Sequence, residues 1–320
     1  MRKITLGRTK VKVSAVSLGT WSYGGANTSG GRPVGWAGQE KRDSQKALNK
    51  AWESGINHWD TADVYGDGRS EKVIGSMWGS VPRDEIFLAT KVGWDQGAYP
   101  HWYNPDHMRK KMEQSLTNLK TECIDLLYLH HCNFGKNDEY FDDALEIVCR
   151  FKEEGKTKFS GLSDWDLKKI MKFIKKANPD VVQPYRNIFE DTYKLSGLQK
   201  YIEENDRGVC FFSPLMHGLL TGKYVEPVDF PEGDFRKNIK AFQDRDIINL
   251  FQTNAERLKN KFDKHPNPVM HAVIDTLTSD SKNSCVLLGQ RNESQVETAK
   301  TLGVLIEEEK VAWVKGLYRP

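Results

Sequence analysis

Cysteine is scarce, and its placement offers no covalent or metal bracing. The 320-residue chain has five: Cys123, Cys132, Cys149, Cys210 and Cys285. The number is odd and no pair is spaced as Cys-x-x-Cys, which argues against a disulfide framework and against a structural zinc site. Several lie in or beside apolar runs, where a buried free thiol is the simpler reading. An excess of one charge is also missing. The 47 Lys and Arg against 44 Asp and Glu leave +3, too little to argue for nucleic acid or an acidic membrane as a partner. No apolar stretch approaches the length of a transmembrane helix. The N-terminal Met1-Arg2-Lys3-Ile4-Thr5-Leu6 is charged but has no h-region, so it does not read as a secretory signal. The chain reads as soluble and cytoplasmic. It also lacks low-complexity tracts, a domain linker, and any Gly-x-Gly-x-x-Gly after its first strand-like run, which weighs against a doubly wound sheet.

Apolar material is ample: 38% hydrophobic residues, with nine Trp and fourteen Phe, can fill one large core. It is laid out in short runs alternating with amphipathic windows. Residues 3–6 and 11–13 around Gly7-Arg8-Thr9-Lys10 read as a hairpin. Strand-like runs follow at Val13–Leu18, Ile56–Trp59, Ile86–Thr90, Ile124–Leu129, Lys158–Leu162, Val181–Val182, Val209–Phe212 and Cys285–Leu288. Helical windows lie at about 42–54, 70–78, 105–120, 142–154, 166–177, 197–205, 243–264 and 292–301. In the third, Met108, Met112, Leu116 and Leu119 recur at helical spacing. Eight strand–helix units predict an α/β fold, a (β/α)8 TIM barrel in one domain over 1–320, with the N-terminal β-hairpin and an extra C-terminal helix within 305–320. Two irregular stretches, 22–41 and 214–242, are long enough to be functional.

Four titratable residues stand where strands stop. Asp60 and Tyr65 follow Ile56–Trp59, Lys91 follows Ile86–Thr90, and His130 follows Ile124–Leu129. In a parallel barrel all strand C-termini open on one face, so these groups converge. Singly, each has a plainer reading: a wall tyrosine, a surface ion pair, a packed histidine. Together they can move a proton at neutral pH. Tyr65 is the candidate general acid, with Lys91 expected to lower its pKa, Asp60 to hold Lys91, and His130 to orient a substrate oxygen. The pair His130-His131 raises the thought of a metal, but neighbours on a strand point to opposite faces, so no metal is expected there.

These residues belong to a series of motifs. Asp60-Thr61-Ala62-Asp63-Val64-Tyr65-Gly66, Thr90-Lys91-Val92-Gly93, Asp125 five residues before His130, Gly161-Leu162-Ser163-Asp164, Phe212-Ser213-Pro214-Leu215 with Leu220-Thr221-Gly222-Lys223-Tyr224, and Gly289-Gln290-Arg291 with Gln295-Val296 occur in that order. In these motifs, over essentially its whole length, the chain resembles the aldo-keto reductases, and in its short C-terminus and 214–242 loop the bacterial and potassium-channel β-subunit branches of that family. The resemblance implies Asp60, Tyr65, Lys91 and His130 as the catalytic tetrad. It also implies a nicotinamide cofactor, NADP in preference to NAD, extended across the barrel mouth. Its contacts would be Gly19, Thr20, Trp21 and Asp60 at the first strand ends. Ser163, Asp164 and Gln183 would meet the carboxamide, and Phe212 would stack on the ring. Ser213, Pro214, Leu215, Gly218 and Lys223 would wrap the pyrophosphate. Gly289, Arg291 and Gln295 would lie at the last helix start, with Arg291 suited to a 2′-phosphate.

Four positions depart from the family pattern: Asp164 for Asn, Phe212 for Tyr, and Thr298 and Ala299 for Glu and Asn. Trp21, Trp36 and Trp94, with Trp102 and Tyr103, lie on loops after strands and offer an apolar-walled substrate pocket. Small aldehydes, sugars, aromatic aldehydes and α-dicarbonyls all stay open as substrates. The implied activity is carbonyl reduction or its reverse on a small carbonyl, alcohol or sugar. The alternative is a cofactor-binding regulatory or redox-sensing subunit with little turnover.

Overall fold

The computed structural model describes residues 1–29, 31–281 and 283–318. Eight parallel strands close into a barrel in chain order: β1 Val16–Gly19, β2 His58–Asp60, β3 Phe87–Val92, β4 Ile124–Leu129, β5 Thr157–Asp164, β6 Val181–Pro184, β7 Gly208–Phe211 and β8 Ser284–Gly289. Among the described residues ten α-helices surround it: α1 Lys41–Glu53, α2 Arg69–Gly75, α3 Pro105–Leu119, α4 Phe141–Glu153, α5 Leu167–Ala177, α6 Leu198–Glu204, α7 Arg245–Lys261, α8 Pro268–Asp280, α9 Glu293–Ala299 and α10 Glu308–Tyr318. α10 is the extra helix expected within 305–320; Arg319 and Pro320 of that window lie outside the described residues. No helix among the described residues is long and apolar enough to cross a membrane.

Local chemistry sets the helix starts. Asn104 accepts from the amides of Asp106 at 3.1 Å and His107 at 3.3 Å, and Pro105 occupies the first turn of α3, where a missing N–H costs nothing. Asp166 caps α5 through Lys168 N at 2.9 Å, and Asp244 caps α7 through Asp246 N and Ile247 N.

The run Val13–Leu18 proves to be two strands. Lys12–Ser14 pairs antiparallel with Lys3–Thr5, and Val16–Gly19 enters the barrel. The hairpin stoppers one end: Ile4, Leu6 and Val13 pack with the inward residues Phe87, Ala89, Leu126, Tyr128, Val181, Cys210 and Cys285. Alternate residues, among them Leu18, Trp59, Leu88, Leu127, Leu129, Val182 and Val286, face the helices.

The 243–264 window missed one helix altogether. α8 is the helix that packs on β8, while α7 lies outside it against α8 and the 216–221 segment. The window ended near Pro266 and Pro268, which break the periodicity; Pro268 starts α8 at a position that tolerates it. α7, α8, α10 and Met216, Leu219 and Leu220 form a separate apolar cluster that anchors the long loop after β7.

Candidate active site

Register brings the predicted groups level. Gly289, Gly19 and Asp60 are successive partners across β8, β1 and β2, and Ser163 pairs with Gln183 across β5 and β6. Lys91 lies inside β3, not beyond it, so its ammonium rises from the barrel interior. It is 1% exposed and Asp60 is fully buried. Lys91 Nζ donates to Asp60 Oδ1, to Thr61 O at 2.7 Å and to Tyr65 Oη at 3.3 Å. Gln183 Nε2 donates to the other Asp60 oxygen at 2.8 Å, so this side chain, expected at a carboxamide, is partly engaged beneath the site.

Tyr65 is carried by a loop whose geometry depends on glycine. Gly66 has φ +64°, and a Cβ there would lie 2.2 Å from Gly24 O. The loops after β1 and β2 thus meet backbone to backbone. This contact sets the Trp21 ring in a stack on Tyr65, at 5.7 Å and 18°. Trp21 Nε1 is fixed by Val34 O at 2.7 Å. The His130 ring stands edge-on to Tyr65 at 5.9 Å and to Trp94 at 5.0 Å.

The electrostatics differ from expectation in one respect. Burial pushes the Tyr65 phenol up to about 12, and Lys91 opposes this without overcoming it. Burial alone would lower Lys91, but Asp60 and Tyr65 together hold it above its ordinary value, so it stays an ammonium. Burial, aided by His131 and Lys91, drives His130 well below the usual imidazole range and keeps it neutral. Its Nδ1 has no hydrogen-bond partner among the described residues.

A cleft of about 500 Å³ opens above the tetrad. Its lining includes Gly19, Thr20, Trp21, Trp36, Asp60, Tyr65, Trp94, His130, Ser163, Gln183, Phe212, Ser213, Pro214, Leu215, Gly218, Lys223, Gly289, Arg291 and Gln295. Lys91 lies beneath this lining, and among the expected cofactor contacts Asp164 is the exception. Strand alternation turns it away from Ser163, and its carboxylate accepts from Cys132 N and Asp166 N, both at 2.7 Å, bracing two loops outside the cleft. Trp102 and Tyr103 are also elsewhere: Trp102 donates to Asn133 O at 3.1 Å, and Tyr103, fully buried, stacks on Phe134. His131 does line the cleft, its ring parallel to His130 at 5.0 Å and 6°. The two imidazoles share one side because β4 ends at Leu129 and the strand alternation stops with it.

Several lining residues escaped the sequence reading: His131, Trp165, His217, Arg236, Asn267 and Met270. His217 and Arg236 come from the long loop after β7, which folds back over the mouth. Phe235 packs on Trp21 at 4.9 Å, and Arg236 lies over the Trp36 ring at 4.4 Å while pairing with Asp234. Asp234 Oδ2 accepts from Ala37 N at 3.1 Å, Phe235 N donates to Gly35 O at 2.8 Å, and Gly35 N donates to Gly233 O at 3.1 Å. The two long irregular stretches are therefore clasped together across the cleft. Arg291 adds a third attachment, donating to Gln39 Oε1 at 2.8 Å, Ala37 O at 2.9 Å and Gly38 O. The start of α9 is capped from within: Asn292 Oδ1 accepts from Gln295 N at 3.0 Å.

The aldo/keto reductase family model matches residues 15–319. The chain belongs to the aldo-keto reductase family. It is 26% identical over 305 residues to the aldo-keto reductase YhdN of Bacillus subtilis, covering 93% of this chain and 87% of that one. It is 34% identical over 207 residues to an NADP(+) aldo-keto reductase of Schizosaccharomyces pombe, covering 62% of this chain and 60% of that one. The solved glycerol dehydrogenase of Gluconobacter oxydans superposes with a TM-score of 0.81 at 26% identity, over 99% of this chain and 97% of that one. These relatives make the chain an oxidoreductase of carbonyls and alcohols.

Proposed function

We propose that this aldo-keto reductase reduces aldehydes or ketones to alcohols, or runs the reverse oxidation of an alcohol or sugar, with NADP as cofactor and Tyr65 as the acid–base group. The observation that carries the reading is the line from Asp60 through Lys91 to Tyr65 at the floor of an aromatic-walled cleft, with neutral His130 beside it.

The cleft suits a nicotinamide dinucleotide. It runs from Ser163, Gln183 and Phe212 over the barrel axis to Lys223, Arg291, Gln295 and Thr298 at its far end. Lys223 and Arg291 bring two cations there. Arg291 keeps Nη1 for an anion after its other nitrogens hold the 37–39 turn. This supports NADP, as does the name of the fission-yeast relative. The bound cofactor supplies hydride to the carbonyl carbon.

The chain's own residues handle the oxygen. Tyr65 Oη gives its proton to the developing alkoxide, which the high phenol pKa permits because the proton is present at working pH. Lys91, 3.3 Å behind that oxygen, stabilises the phenolate left behind. Asp60 and Thr61 O hold the ammonium in place. His130, uncharged, retains a ring N–H to offer the carbonyl oxygen. Trp21, Trp36 and Trp94 exclude water and favour substrates with an apolar face.

The test is the rate of NADPH and NADH oxidation with a panel of aldehydes, ketones and sugars, run beside Tyr65→Phe. Turnover with NADPH that the variant loses, while still binding cofactor, is the expected result. Tight NADPH binding with no turnover on any carbonyl would turn the assignment toward a regulatory subunit. Full activity in Tyr65→Phe would remove Tyr65 from the mechanism.

A further inference from the structure

Four neighbouring strands each send one polar side chain into the barrel interior, well below the cleft. Cys210 on β7 and Cys285 on β8 are register partners. Ser17 on β1 and His58 on β2 complete the row, and all four are fully buried. The His58 Nδ1 atom lies 2.8 Å from Ser17 Oγ and 3.8 Å from Cys285 Sγ, and Cys210 Sγ lies 4.0 Å from Ser17 Oγ. The ligand atoms of His58, Cys210 and Cys285 all fall within 4.8 Å of one another. His58 Nε2 has no hydrogen-bond partner among the described residues. The tetrad does not use this group.

We propose that His58, Cys210 and Cys285 bind a zinc ion inside the barrel, with the Ser17 hydroxyl as fourth ligand. Zinc sits about 2.0–2.3 Å from nitrogen and sulfur in a tetrahedron, which sets its ligands about 3.5–3.8 Å apart. The Cys285–His58 pair already has that separation; side-chain rotation must draw Cys210 inward and open the 2.8 Å Ser17–His58 hydrogen bond to the spacing of two ligands. Charge favours the divalent ion. Two thiolates and Zn²⁺ sum to zero, so the complex can sit among Phe87, Ala89, Leu126 and Val181 without an uncompensated buried charge. Copper(I) would leave a net negative charge there. Magnesium and calcium prefer oxygen ligands and are disfavoured by two sulfurs. With every ligand closed off from solvent and the hairpin over that end of the barrel, the ion is taken up as the chain folds and is structural.

The test uses the untagged full-length protein produced in zinc-supplemented medium and dialysed against a chelator under reducing conditions, with metal measured by elemental mass spectrometry. About one zinc per chain is expected in the wild type, falling below about a tenth in Cys210→Ser and Cys285→Ser and unchanged in Cys149→Ser, whose thiol is exposed on α4. Production with cobalt should give the sulfur-to-cobalt charge-transfer absorption of a thiolate site. If the serine variants do not fold, the wild-type measurement still decides. A folded wild-type chain holding no zinc overturns the site, as does retention of copper(I) in preference to zinc. A Cys210–Cys285 disulfide found by mass before reduction, or zinc that survives both serine variants, also overturns it.

Discussion

Gln183 reaches across the barrel to donate to Asp60 Oδ2 at 2.8 Å. Their strands, β6 and β2, lie four places apart around the closed sheet. The carboxylate is therefore gripped from two sides, by an amide from the far wall and by Lys91 from the adjacent strand. Neither hold depends on a loop.

The ion pair should be costly to halve. Lys91→Met leaves a buried carboxylate facing an apolar chain and should lose about 3–5 kcal/mol of stability. Asp60→Asn in the same chain removes the stranded charge and should restore much of the loss while activity stays absent. Urea unfolding of both single variants and the double variant measures the coupling. Strictly additive losses would show that the pair is not energetically linked.

Asp63, two residues before Tyr65, gives a pH signature. Burial pushes its carboxyl up to about 7, with Lys111 opposing from 3.8 Å. The folded chain thus keeps a proton that the unfolded chain releases near pH 4, so this residue's contribution to stability falls as pH rises from about 4 to about 7. Asp63→Asn escapes that loss. Its melting temperature should exceed that of the wild type at pH 8, and the gap should close toward pH 5. A gap of constant size across that range would refute the assignment.

Gly66→Ala tests how the acid is positioned. The new methyl would meet Gly24 O at 2.2 Å in a left-handed backbone conformation, and the loop must move. Turnover should fall at least about tenfold through loss of the near-attack geometry, while fluorescence titration shows cofactor binding little changed. Wild-type turnover in this variant would mean that the loop contact does not set Tyr65.

Asp234→Ala should loosen the clasp over the cleft by removing the acceptor of Ala37 N and the partner of Arg236. Cofactor dissociation, followed by stopped-flow fluorescence, should speed up about tenfold, the worth of one or two such hydrogen bonds. An unchanged off-rate would mean that the clasp does not gate release.

The barrel and the convergence of Asp60, Tyr65, Lys91 and His130 were legible because both rest on local pattern. Short apolar runs gave the strands, and each tetrad member lies within a few residues of a run's end. Asp164 was misjudged because a motif position does not tell which way a strand-end side chain turns, and here its carboxylate serves Cys132 N and Asp166 N. His217 and Arg236 could be traced only to a long loop flagged as functional, since the fold-back depends on pairing with residues 35–39, about two hundred positions earlier in the chain. The direction of the Tyr65 shift was missed because sequence shows the neighbouring cation and not the depth of burial. The nearness of Cys210 and Cys285 was not legible for a related reason. Cys210 and Cys285 are distant in sequence and become partners only when β7 pairs with β8.

Asp60, Lys91 and Gln183 are strand residues, whereas Trp21, Trp36, Trp94, His217 and Phe235 belong to the connecting segments. The buried polar network of Asp60, Lys91 and Gln183 and the aromatic walls of the cleft are thus carried by separable parts of the chain. A designer could exchange the segments after β1, β3 and β7 for those of another reductase and change what enters the mouth. The buried Asp60, Lys91 and Gln183, built into the staves of the barrel, would pass unaltered from one variant to the next, provided the close approach of Gly24 to the loop that carries Tyr65 is kept.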